Sequence, residues 1–255
     1  VRNQKLVNTR YGNMYVFSDD PTIGRSLDCY GEYCYPEVDL LLALLDSNSF
    51  VLDVGANVGS HTLGFAPYVS KVVAFEPDPE CHDLLAKNIG MQDRGVARKI
   101  SINPIALSDS VQEVSTQFDY GKTKVTPGGS IVQTKLDNIQ GFPRIDLIKI
   151  DVEGMEYNVL KGAQNTITYF RPILFIEMQD ASLNSLVFDF LDNLSYNMYW
   201  AACATFNPNN HKHNSEDVFG PQHGVLNWLC TPTPIQTDLK PVQDRTDTIE
   251  KAVLR

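Results

Sequence analysis

The stretch from Phe50 to Thr62, FVLDVGANVGSHT, constrains the fold of this chain more than any other. Apolar residues flank Asp53, then Gly55, Asn57 and Gly59 punctuate a turn, and the apolar spacing of Leu63 and Ala66 predicts a following helix. A strand, a glycine turn and a helix in that order put the turn at the carboxyl edge of a parallel sheet. Backbone N–H groups and a helix N-terminus there face the crevice that receives a ligand. Glycine allows a close backbone approach that a Cβ would block.

The spacing D-x-G-x-N-x-G separates cofactor classes. A dinucleotide fingerprint needs G-x-G-x-x-G, and here Asn57 and Ser60 stand where glycines would be required, which disfavours NAD and nucleotide-sugar chemistry. Lys71 to Glu76, KVVAFE, reads as a second strand ending in an acid, with Pro77 next. An acid in that place can grip both ribose hydroxyls of an adenosine. NAD sites use the same device, so Glu76 alone does not choose between cofactors.

Further blocks occur in order: IGRSLDCYGEYCYPEV, DVGANVG, FEPDP, IALSD, IDLIKIDVEGMEYNVLKGA and RPILFIE. Together they resemble the FkbM family of S-adenosylmethionine-dependent methyltransferases, over roughly Asp20 to Pro232. The resemblance implies a doubly wound α/β fold with a mostly parallel, seven-stranded Rossmann-like sheet and S-adenosyl-L-methionine as cofactor. It implies a cofactor site drawn from Asp53, Gly55, Asn57, Gly59, Thr62, Glu76, Pro77 and Asp151, with Ala106 and Leu107 beside the adenine. Ser108 or Asp109 would accept from the adenine amino group, or that turn is simply solvated. Glu32, in the YGE step of Tyr30 to Glu32, would pair with the cationic end of the cofactor, or the step is a structural turn.

The expected division is a cap region over 1–48, the methyltransferase domain over 49–232 and a tail over 233–255, rich in proline and charge. With 255 residues the chain is long enough to bury one large α/β core. The net charge of -10 argues against a nucleic-acid partner, because such affinity is built on clustered Lys and Arg. No apolar run approaches the ~18 residues of a membrane span, and no leader precedes the domain, so a cytoplasmic location is expected. Cys29, Cys34, Cys81, Cys203 and Cys230 form no CxxC pair and read as free thiols.

Further strands are expected at Ile100 to Ile105, Ile145 to Ile150, Ile173 to Ile176, Met198 to Ala204 and Val225 to Cys230, which makes seven. Helices are expected from Pro36 through Leu45, from Pro79 to about Asn88 behind Asp78 as N-cap, from Met155 through Phe170, and over Asn184 to Leu194. Val111 to Phe118 and Ser130 to Leu136 alternate like the arms of an inserted hairpin, with a turn-rich segment between them. His211 and His213 form an HxH pair without a third ligand nearby and read as part of a solvated loop.

Methyl transfer from a sulfonium is an in-line displacement, so positioning dominates. An alcohol acceptor also needs a base, and Asp151, Glu153 and His223 are the candidates, with Glu177 as a further pocket residue. Alternatively Asp151 caps a helix while Glu153 bonds the cofactor's amino group. The expected reaction is O-methylation of a carbohydrate, glycan or secondary-metabolite hydroxyl. Two other readings stay open: a metal-assisted transfer to a diol through Asp151, Glu177 and a third oxygen ligand, and a binding module that keeps the fold without turnover.

Overall fold

A computed structural model describes residues 2–119, 122–178, 181–221 and 223–248. In chain order the elements are β1 (Gln4–Thr9), β2 (Gly12–Phe17), α1 (Ile23–Tyr30), α2 (Tyr35–Leu42), β3 (Phe50–Val54), α3 (Ser60–Phe65), β4 (Lys71–Phe75) and α4 (Pro79–Gly90). Next come α5 (Arg94–Ala97), β5 (Ile100–Asn103), β6 (Ala106–Leu107), β7 (Gln112–Asp119), β8 (Lys122–Pro127), β9 (Ile131–Thr134) and β10 (Leu147–Ile150). The chain continues through α6 (Glu156–Gly162), α7 (Gln164–Phe170), β11 (Ile173–Glu177), α8 (Asn184–Asn193), β12 (Asn197–Ala204), β13 (Gly224–Thr231) and β14 (Lys240–Pro241).

Among the described residues three sheets form: β1-β2, a main sheet in the order β14-β12-β13-β11-β10-β3-β4-β5, and a small sheet in the order β6-β9-β7-β8. From β11 to β5 every pairing in the main sheet is parallel, whereas β13 runs against both β11 and β12, and β14 against β12. The α/β class therefore holds, but the sheet has eight mixed strands instead of seven. The extra strand comes from beyond Pro232: Trp200 pairs with Lys240 and Tyr199 with Pro241. Asp247 then accepts from the indole of Trp200 at 3.3 Å.

Apolar runs make the central strands. β3, β4, β10 and β11 have both faces covered, as parallel strands require, so they read as continuous hydrophobic stretches. Leu52, Ile148, Ile150, Leu174 and Trp228 pack one face against α6, α7 and α8 residues such as Leu160, Ile167 and Leu191. Val51, Val72, Leu147 and Leu229 pack the other against Val38, Leu41 and Phe65. Asp78 caps α4 as expected, accepting from Glu80 N at 3.1 Å and Cys81 N at 3.0 Å.

Two local expectations need correction. The turn-rich segment after β7 is itself a strand, β8, paired antiparallel with β7. The helix expected from Met155 through Phe170 breaks at Ala163, with φ -113 and ψ 8, next to Gly162, which packs closely on the chain at Ser108. A Cβ on Gly162 would lie 1.9 Å from the Ser108 carbonyl oxygen. Gly162→Ala is therefore expected to lower stability by about 2–4 kcal/mol, read as a drop in urea midpoint with an unchanged slope. None of the five cysteines is paired, and among the described residues no helix is long and apolar enough to cross a membrane.

Candidate active site

The carboxyl edges of β3, β4, β10 and β11 open onto one cavity, as the glycine turn predicts. At its floor Gly55 has φ +85, and a Cβ there would sit 1.8 Å from the Asp151 carbonyl oxygen, so only glycine fits between β3 and β10. Gly55 N and Ala56 N both donate to Phe75 O, and Asn57, left-handed at φ 49, aims its N–H at Glu76 Oε2 over 2.8 Å. Glu76 Oε1 accepts from Asp78 N at 2.9 Å. Glu76 is 3% exposed, and burial, with Asp78 and Asp53 adding to it, pushes its carboxyl up to about 7 against the pull of those two N–H groups. Next to it Phe75, Pro77, Ile105, Ala106 and Leu107 form an apolar wall, and Thr123 and Val125 of β8 close over it.

The other half of the cavity is polar, lined by Tyr33, Ser60, His61, Lys149, Asp151, Glu153, Glu177 and His223. Lys149 stands in β10 with its side chain 4% exposed, its Nζ 3.1 Å from Asp151 Oδ2 and 3.7 Å from Asp53 Oδ1. Burial works against its charge, but the two carboxylates outweigh that and raise its proton affinity. Burial likewise works to raise Asp151, yet the Lys149 ammonium beside it holds its carboxyl below the usual range. Asp53 itself lies behind the wall, where Thr62 Oγ1 donates to its Oδ2 at 2.5 Å. Glu153 sits at φ 56 in the loop after β10, which Glu156 pins by accepting from Val152 N and Gly154 N, each at 3.1 Å. Asp151, Glu153 and Glu177 each bring an oxygen within 4.8 Å of the others.

Of the residues expected from sequence, Gly55, Asn57, Glu76, Pro77, Ala106, Leu107, Asp151, Glu153 and His223 line this cavity. Asp53, Gly59 and Thr62 stand behind it as supports; Gly59 takes φ +98 at the start of α3. Glu32 does not reach it. Its carboxylate is bound by Arg10 at 2.7 Å, Asn207 Nδ2 at 2.7 Å and His211 N at 3.0 Å, and so ties the first hairpin to the loop before β13. Asp109 likewise does not line the cavity: Lys161 and Asn158 hold it, the former drawing its carboxyl down to about 2.

Lys149 was not anticipated, although a lysine inside the buried run IDLIKI was a readable signal. Also unanticipated is a buried row behind the polar half. Asn227 Nδ2 donates to Glu37 Oε1 at 2.7 Å, and Glu37 Oε2 lies 3.1 Å from His61 Nε2. Burial pushes Glu37 up to about 8, Lys149 restraining and Asp151 adding to the rise; burial and Lys149 push His61 down to about 4.

These shifts predict how stability depends on pH. Glu37 and Glu76 bind their protons more tightly folded than unfolded, so their contribution is complete below the unfolded value near pH 4 and is lost as pH rises through 7 and 8. His61 has the opposite shift and opposes this loss only below about pH 6.5. Ligand-free protein is thus expected to lose about 5–10 °C in Tm between roughly pH 6.5 and 8. A scanning-fluorimetry series across that range checks it.

A mixed α/β sheet whose parallel centre carries a glycine turn, an acid ending the neighbouring strand and a half-apolar, half-polar crevice at its carboxyl edge has the doubly wound arrangement that receives ligands at that edge. The methyltransferase FkbM domain model matches residues 53–198, and the chain belongs to that family. It is 28% identical over 176 residues to the methyltransferase sdnD of Sordaria araneosa, covering 53% of this chain and 66% of that protein. It is 30% identical over 169 residues to the hexuronic acid methyltransferase AglP of Haloferax volcanii, covering 62% of this chain and 66% of that protein. The chain therefore spans just under two thirds of either relative. Among solved structures, the methyltransferase FkbM of Methylobacillus flagellatus superposes with TM-score 0.51 at 18% identity, over 72% of this chain and 44% of that one, a likeness of fold.

Proposed function

We propose that this chain transfers a methyl group from S-adenosyl-L-methionine to a hydroxyl of a carbohydrate or a similarly polyhydroxylated metabolite. The observation that carries the reading is the two-part cavity: a buried acid beside an apolar wall at one end, and a cluster of carboxylates with a histidine at the other. The residues present fit the cofactor. Glu76 has lone pairs left after its two N–H bonds and offers them to ribose hydroxyls, while Ala106 and Leu107 face a neutral ring without an unmet polar group. When bound, the cofactor supplies the methyl group and leaves as a neutral thioether. The protein's own work is then positioning. Asp151, kept ionised by Lys149, is a strong hydrogen-bond acceptor but a weak base, suited to orienting an acceptor hydroxyl. Glu153, Glu177 and His223 line the same space and bond further hydroxyls of a polyol.

The relative AglP is named for a hexuronic acid, which supports a sugar acceptor, and the net charge of -10 supports one other than nucleic acid. Incubating the protein with methyl-labelled cofactor and a panel of methyl glycosides, with mass-spectrometric detection of O-methyl products, tests the reading. Labelled ether in at least one glycoside is expected; label found only in nitrogen or RNA acceptors would overturn the hydroxyl assignment. A second reading adds a divalent cation, favoured by the mutual approach of Asp151, Glu153 and Glu177 within 4.8 Å. Such an ion would lower the pKa of a diol. Turnover that survives EDTA removes this reading, and turnover restored by magnesium supports it.

A further inference from the structure

The buried row Asn227–Glu37–His61 ends at the cavity and is used neither by the cofactor half nor by the carboxylate cluster. Its three residues are 4%, 5% and 5% exposed, respectively. Burying two titratable groups and an amide is unfavourable unless they satisfy one another, and here they do so in series. The imidazole is held edge-on to Tyr33, ring centroids 6.3 Å apart, and tilted against Phe65 at 6.2 Å, so its plane is fixed. Nε2 faces Glu37, while Nδ1 makes no hydrogen bond to the described residues and His61 lines the cavity. An imidazole with one nitrogen oriented by a buried carboxylate and the other turned to a ligand space is the arrangement of a general base.

On the reading of the cavity as a cofactor-and-hydroxyl site, we propose that His61 is the general base for the acceptor hydroxyl, oriented by Glu37, which Asn227 holds in place. In this step the hydroxyl proton passes to Nδ1 as the oxygen takes the methyl group, and the sulfur keeps the electron pair of the breaking bond. Nε2–H remains on Glu37, whose charge stabilises the imidazolium until the proton leaves to solvent. Asp151 is poorly suited to this role because the Lys149 ammonium stabilises its charged form. His223 sits exposed at the rim, with its Nδ1 already 2.9 Å from Thr205 Oγ1.

The row is base-competent when Glu37 is ionised and His61 is neutral. The groups facing it are Lys149 from β10, Asp53 from β3, Asp151 from the loop after β10, Tyr33 and Cys34 before α2, and Cys203 from β12. Lys149 favours the ionised carboxylate, whereas burial and Asp151 oppose it, so the competent form grows as pH rises toward about 8. The rate of transfer therefore rises over that range.

Two measurements decide the proposal. Protein labelled with ¹⁵N-histidine and bound to S-adenosylhomocysteine is followed by NMR from about pH 6 to about pH 9.5. The expected His61 has a protonated Nε2 and a bare Nδ1 at the upper end, and Glu37→Gln alters both its tautomer balance and its titration. A protonated Nδ1 throughout, or a ring indifferent to Glu37→Gln, overturns the proposal. In transfer from labelled cofactor to methyl glycosides, His61→Gln is expected to lower kcat about 10²–10⁴-fold and abolish the rise toward pH 8, with affinity for S-adenosylhomocysteine within about threefold of wild type. Retained kcat, or affinity lost in parallel with kcat, overturns it. Failure of the wild type to bind S-adenosylhomocysteine would strike the cofactor reading itself, whereas binding together with a protonated Nδ1 strikes only His61.

Discussion

Replacing Glu76 by alanine is expected to lower affinity for S-adenosylhomocysteine by a hundredfold or more. Two hydroxyl bonds to a carboxylate contribute about 1.5–3 kcal/mol each, and the same side chain fixes the loop by accepting from Asn57 N and Asp78 N. Both contributions vanish together in the alanine variant. Glu76→Gln keeps the shape but can present only one accepting oxygen, so a loss of about tenfold is expected. The pH dependence separates the charge from the shape. With its carboxyl at about 7 in the free protein, Glu76 must lose a proton to accept two hydroxyls, so affinity falls as pH drops below 7, by up to about tenfold per unit. Calorimetry on wild type and Glu76→Gln between about pH 5.5 and 8 checks this, the variant showing a flat profile. A wild-type affinity unchanged across that range would mean the ribose is held elsewhere.

The second large effect is expected at Lys149. Lys149→Met leaves the buried Asp53 and the partly exposed Asp151 without the ammonium between them, a change of about 3–5 kcal/mol for a broken buried pair and on the order of 10 °C in Tm. The sign of the pH effect distinguishes this from mere packing. Without Lys149, burial is left to raise the Asp151 carboxyl, so the variant gains stability relative to wild type as pH falls toward about 5. Thermal melts of both proteins across that range test it. A gap that stays constant with pH would show that the methylenes of Lys149 matter more than its charge.

The legible parts of this molecule are those whose causes are local. The strands β3, β4, β10 and β11 announce themselves as apolar runs ending at an acid or a glycine, and Asp78-Pro79 marks the start of α4 through its own backbone bonds. Glu76 and Asp151 follow from strand ends, because the end of a parallel strand is a place in the crevice. Glu32 shows the limit. The sequence sets it beside tyrosines and a glycine, but its environment is made by Arg10, Asn207 and His211, which lie 22, 175 and 179 positions away. Glu37 and Asn227 are likewise 190 positions apart, and nothing local marks their meeting. β14 was hidden for another reason: a short, exposed edge strand with a proline has no periodicity of its own and takes its form from Tyr199 and Trp200.

The most direct test of the central claim is a calorimetric titration of the wild-type protein with S-adenosylmethionine, S-adenosylhomocysteine and NADH. It needs no acceptor. Micromolar binding of both sulfur ligands with none of NADH is the predicted result. Binding of NADH alone, or of none of the three, would contradict the assignment of the Glu76 cavity to a sulfonium cofactor.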